Sequence, residues 1–92
     1  MFGLVVEVAI EAGRTEEAEK MLTEMVVPMV KATPGFVSGT WLQSDDGLVG
    51  TAFILFESEE AARDAAANAP RPPAGSGVTA TRFEAMRIAA QA

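Results

Sequence analysis

Few side chains in this sequence could do chemistry on a substrate, and their types narrow the options. The chain has no histidine and no cysteine, so the commonest general base, the commonest metal-binding imidazole and any thiolate nucleophile are missing. No serine is framed by a base, no glycine-rich phosphate loop follows a strand, and no metal-ligand cluster occurs, which disfavours hydrolase, kinase and metalloenzyme readings. What remains is the single tryptophan Trp41, the methionines Met21, Met25 and Met29 at helical spacing, and Glu7 inside an apolar stretch. These suit the binding of a flat apolar molecule better than acid–base or metal chemistry.

Each candidate has a plainer reading beside the functional one. With a four-residue turn at Ser44–Gly47, Gln43 pairs with Leu48, and Trp41 faces Gly50 on the side of Ile54 and Phe56. The indole is then either a structural filler across from a glycine, the weightier reading, or an aromatic floor with Phe56 beneath the first helix. The methionines are ordinary core at i, i+4 and i+8, or an adaptable pocket wall. Glu7 is either the one carboxylate central enough to act as a base or, the weightier reading, a solvated edge or seam residue, since its parity sets it opposite Leu4, Val6 and Val8, with Arg82 as its charge partner across the sheet. Asp45 and Asp46 are turn formers and a poor calcium site. The pocket candidates are therefore Trp41, Phe56, Ile54, Val6, Met21 and Met25, with no metal ligands and no assignable catalytic residue.

The elements that must position them are legible. Phe2 to Ile10 is apolar on most of both faces, as a central strand is. Gly13 ends it, and Thr15 followed by Glu16, Glu17 and Glu19 opens a helix in which the hydroxyl can cap free amides and the acids complement the positive dipole end. That helix reaches about Lys31, with a kink expected around Glu24 to Pro28 because Pro28 removes a donor and crowds the preceding turn. Phe36 to Gln43 and Val49 to Phe56 form a hairpin. Ser58-Glu59-Glu60-Ala61 starts an alanine-rich helix ending near Asn68, Arg71 to Gly77 is a connector by composition, and Val78 to Ile88 is a last strand alternating Val78, Ala80, Arg82 and Glu84 against Thr79, Thr81, Phe83 and Ala85. The order βαββαβ is the ferredoxin-like α+β plan: a four-stranded antiparallel sheet with both helices on one face.

Composition sets the boundaries. Ninety-two residues make one domain, residues 1–92, and 49% hydrophobic content exceeds what so small a core can hide. A second copy of the chain covering the bare sheet face is the expected partner, giving a homodimer. Seven basic against thirteen acidic residues, a net charge of −6, argue against nucleic acid or an anionic membrane as partner. No apolar run approaches the ~20 residues needed to span a bilayer and no basic leader precedes the first strand, so a soluble cytoplasmic protein is expected.

The segments PGFVSGTWL and DDGLVGTAFILFESEEAARDAA resemble the antibiotic-biosynthesis-monooxygenase-like superfamily, the dimeric α/β barrels. The resemblance runs from the first strand through the second helix. It implies two chains forming one barrel, each with a pocket between its helices and its sheet. It also implies a small hydrophobic or aromatic ligand and an activity without cofactor, a cofactor-independent monooxygenase, against the alternative of a non-catalytic binding module. The heme-degrading branch places an Asn in the first strand, a Trp before Glu-Ser-Glu and a His near the second helix. Here those positions hold Val6, Phe56 and no histidine, so heme degradation by that route is disfavoured.

Overall fold

The computed structural model describes residues 1–92, and its elements follow the expected order. Strand β1 (Phe2–Ile10) leads to helix α1 (Thr15–Met21), a π-helical segment (Leu22–Val26) and α2 (Val27–Lys31), together one continuous first helix. The hairpin strands β2 (Phe36–Gln43) and β3 (Val49–Phe56), helix α3 (Glu59–Asn68) and strand β4 (Val78–Arg87) follow. The strands form one antiparallel sheet in the order β2-β3-β1-β4. The two most apolar strands, β1 and β3, therefore lie at the centre, where both edges of each are paired.

The helix-covered face holds the core. Leu4, Ala52, Ile54 and Phe56 from the central strands meet Ala62 and Ala65 of α3, and all six are buried. Alanines on α3 let its backbone approach closely, and the helix packs on β1, β3 and β4. Its start is built as expected: the Ser58 hydroxyl accepts the Ala61 N–H at 3.2 Å, and Glu59 and Glu60 occupy the first turn.

The first helix behaves differently. Its Thr15 does not cap it; the N-cap position is Arg14, and the Thr15 hydroxyl instead donates to the Gly47 carbonyl at 3.1 Å, tying helix to hairpin turn. The expected disturbance before Pro28 is the π segment, whose wider turn absorbs the missing donor and the ring's crowding. No residue from Leu22 to Lys31 is buried. This helix is held at both ends, by buried Ala18 and the Thr15–Gly47 bond at its start and by Val30 against the core near its end, while its middle, Leu22–Val26, is left uncovered.

Two details of register depart from the sequence reading. The hairpin loop is shifted by one residue: Ser44 N–H bonds to the Val49 carbonyl at 2.9 Å, and Gln43 pairs with Gly50, so Trp41 faces Ala52 and not Gly50. Asp46 causes the shift, because its carboxylate accepts the Leu48 N–H at 2.9 Å and the Ser44 hydroxyl at 2.7 Å, holding Leu48 in the loop. The change moves pairing by two residues, so Trp41 keeps the face of Ile54 and Phe56.

In β4 a bulge lies opposite Glu7/Val8. It inserts Thr81, whose hydroxyl bonds to the Glu7 carbonyl at 3.0 Å, and it reverses the alternation beyond. Phe83 and Ala85 pair with Val6 and Leu4, so they join Val78 and Ala80 on the covered face, contrary to the simple alternation. Arg82 sits beside Glu7 in register but bonds to Glu84 at 3.0 Å, so the expected Glu7–Arg82 pair does not form.

Candidate functional site

Because the first helix stands off the sheet, an apolar cleft of about 1080 Å³ opens between them. Its base is a row of side chains running across all four strands. Trp41 pairs with Ala52, Ala52 with Val6, and Val6 with Phe83, so an aromatic ring stands at each end with two smaller residues between. At roughly 4.8 Å per strand spacing, Trp41 and Phe83 lie ~14 Å apart across the sheet.

All six candidates from the sequence line this cleft, in unequal ways. Phe56 and Ile54 are sealed at its base, 1% and 3% exposed, and serve mainly as core. Trp41, Val6 and Met21 are half-buried and present surface to the cleft. Met25 forms the far wall from the π segment and is 66% exposed, far more open than a core methionine would be. Met29 is also exposed, which removes the reading of the series as packed core.

The indole of Trp41 turns back along its own strand and lies over Gly39. A Cβ on Gly39 would fall 2.7 Å from Cη2 of the indole, so only a glycine lets the ring settle there. The glycine that matters to Trp41 is thus two residues before it, not across the hairpin.

Arg71, exposed on the cleft wall, is a residue that sequence reasoning passed over as part of a connector. Its guanidinium carbon lies 3.8 Å from the centre of the Phe83 ring, and its nitrogens donate to the carbonyls of Ala69 at 3.2 Å and Ala66 at 3.5 Å. The available signal was an arginine held between Pro70 and Pro72 directly after a helix. Asn68 stands nearby on the cleft wall, its amide donating to the Asp64 carbonyl at 2.9 Å. No buried side-chain polar atom lacks a partner, and no group of acidic residues could hold a metal ion.

The shifted ionisations lie away from the cleft floor. Asp46 is held below the ordinary carboxylate range by the Leu48 N–H and then by the Ser44 hydroxyl. Glu17 is lowered, and Arg14 raised, by their mutual hydrogen bond. A heme would need an axial ligand, and the chain has no imidazole; Phe56, before Glu57-Ser58-Glu59, is sealed in the core. The residues present do not fit a histidine-ligated heme.

A ferredoxin-like α+β domain with one helix lifted from its sheet defines a class of small proteins with a ligand-sized cleft at that gap. Residues 1–70 match the family described as antibiotic biosynthesis monooxygenase, and the chain belongs to that family. The fold is shared with solved structures. A monooxygenase from the gene ActVA-Orf6 of Streptomyces coelicolor, solved in complex with Nanaomycin D, aligns over 99% of this chain and 91% of its own at 24% identity with a TM-score of 0.61. The heme-degrader MhuD from Mycobacterium tuberculosis, with two hemes bound, aligns over 100% and 99% at 19% identity with a TM-score of 0.74. A point mutant of MhuD, with two manganese protoporphyrin IX bound per active site, aligns over 100% and 98% at 20% identity with a TM-score of 0.67. No curated protein sequence is significantly similar to the chain.

Proposed function

We propose that residues 1–92 form one domain that binds a small flat hydrophobic or aromatic molecule in the cleft and oxidises it as a cofactor-independent monooxygenase. The observation that carries this is the row Trp41, Ala52, Val6 and Phe83 under an open apolar space of about 1080 Å³. Pockets for drug-sized ligands run from roughly 300 to 1,000 Å³ and are mainly apolar with a few polar groups. Family membership and the monooxygenase fold relative support the reaction class.

Such a reaction draws its electrons from the substrate. A ring-activated methylene loses a proton, the carbanion reduces dioxygen, and a carbon–oxygen bond forms. The resulting peroxide then loses water, so that one methylene and one dioxygen give one ketone and one water. The protein supplies a dry apolar site and orientation. A substrate acidic enough to ionise without a strong base suits a cleft whose floor carries no carboxylate or imidazole. That same bare floor favours a second reading, a non-catalytic binding module, in which Trp41 and Phe83 only hold the ligand.

We also infer that the working unit is a homodimer closed through the helix-free face. Leu42, Val49, Phe53 and Met86 stand exposed there, Leu42 at 62% and Phe53 at 47%. The accessible surface is 5902 Å², against about 5,100 Å² expected of a compact 9.6 kDa monomer. That excess is surface left uncovered, the open cleft and this apolar face among it. No helix is long and apolar enough to cross a membrane. A cytoplasmic setting completes the proposal and rests on the cysteine-free sequence.

Oxygen uptake with anthrone- and quinol-type substrates tests the activity. Turnover that falls in Trp41→Ala supports the oxygenase; no turnover, with a ligand-induced rise in melting temperature, supports the binding module.

A further inference from the structure

We infer that the ligand of this cleft is an anion: a planar aromatic carrying an acidic group, whose charged oxygen is bound by Arg71 at the Phe83 end. This rests on the cleft being the ligand site and adds what chemistry the site selects.

Arg71 is the only basic side chain lining the cleft. The residue is exposed, and its guanidinium is held on one side. It stacks on Phe83 at 3.8 Å and donates to two carbonyls at the end of α3, and prolines at 70 and 72 restrict the backbone on either side. Its charge is nevertheless unanswered. Arg14, Arg63 and Arg82 each pair with a carboxylate; Arg71, like Lys20, Lys31 and Arg87, pairs with none, and of these four it alone lines the cleft. A guanidinium has five N–H donors, so most remain free after two carbonyl bonds.

Arginine at a helix C-terminus often serves only to satisfy carbonyls. That role accounts for the two backbone bonds. It does not account for a guanidinium stacked on the ring that ends the cleft floor, where no protein carboxylate neutralises it. Four carboxylates also line the cleft, Glu19, Glu57, Glu60 and Asp64, all exposed. They repel an anion, and Arg71 is the one cation on the cleft wall that attracts it, so the acidic group is accepted at Arg71 and the ring system extends toward Trp41. The ~14 Å between Trp41 and Phe83 accommodates two or three fused rings in that direction.

The test uses two fluorescent probes of nearly the same shape, the anion 1-anilinonaphthalene-8-sulfonate and the neutral N-phenyl-1-naphthylamine, titrated into the full chain. Arg71→Gln is expected to weaken the anionic probe about tenfold, the loss of one charge-assisted contact, and to leave the neutral probe within about twofold. Arg71→Lys should restore part of the loss. Raising ionic strength should weaken the anionic probe on the wild type and not on Arg71→Gln, and the wild-type salt response remains a test should the variant fail to fold. Equal effects on both probes, or no effect on either, overturn the assignment to Arg71 while leaving the cleft as a binding site. Failure of both probes to bind the wild type overturns the cleft itself, and this inference with it.

Discussion

The indole of Trp41 rests on Gly39, where an added Cβ would come within 2.7 Å of the ring. Trp41 also packs against the core cluster while keeping part of its surface in the cleft. Gly39 thus sets the pose of a ring that the proposed ligand would meet. Neither residue is in a turn, and Gly39 has no left-handed backbone requirement; its role is space alone.

Replacing Gly39 by alanine should therefore tilt the indole without breaking the sheet. Overpacking of this kind costs about 1–3 kcal/mol. The expected signature is a shift in the emission maximum of the only tryptophan, together with a several-fold loss of ligand affinity. An unchanged spectrum would show that the ring is free to move and is no fixed wall.

The strands, the hairpin, the second helix and the disturbance before Pro28 could be read from apolar period, turn residues and one proline, because those signals act within a few residues. The alternation of β4 could not be read, since the bulge at Thr81 is set by pairing with β1 and by a bond to Glu7, 74 residues away. Simple alternation sets Phe83 opposite Val78 and Ala80, whereas the bulge brings it to their face, so alternation alone does not mark Arg71, which stacks on it. Trp41 kept its face only because the loop shift induced by Asp46 changes the pairing by an even number. The lifted first helix is legible only in part: Pro28 and the methionines admit an adaptable pocket wall, but the stripe also has the period of a packed helix, and only three-dimensional packing shows that Met25 and Met29 stay uncovered.

The six candidate residues should separate by stability. Phe56→Ala removes a ring that is 1% exposed beneath the cleft and should cost about 3–5 kcal/mol, a large part of what a domain of this size has to spare. Met25→Ala touches an open wall and should change stability by no more than about 0.5 kcal/mol while altering ligand affinity. Urea unfolding of both variants checks the contrast; similar losses would mean that the first helix closes onto the sheet in solution.

The helix-free face makes its own prediction. Phe53→Glu places a charge in the centre of the proposed interface, beside Val5 of β1 and Thr40 of β2. A buried charge without a partner is strongly disfavoured, so the variant should sediment as a monomer at concentrations where the wild type is a dimer. A monomeric wild type would remove the dimer from the proposal.

The turn at Ser44–Leu48 should loosen in acid before the core does. Asp46 has its folded value depressed, first by the Leu48 N–H and then by the Ser44 hydroxyl, so its ionised form is the one the fold favours. A depressed carboxylate stabilises fully above its ordinary value of 3.8, and that stabilisation is lost as pH falls through the lower folded value. Asp46→Ala should lower the melting temperature at neutral pH and converge with the wild type in strong acid, because both chains then lack the carboxylate. Asp46→Asn, whose amide oxygen can still accept the Leu48 N–H, should fall between them. The same turn is anchored to the first helix through the Thr15 hydroxyl and the Gly47 carbonyl. Its loosening should therefore reach the cleft wall, and affinity for a neutral probe should weaken over the same acid range in the wild type but stay flat in Asp46→Ala.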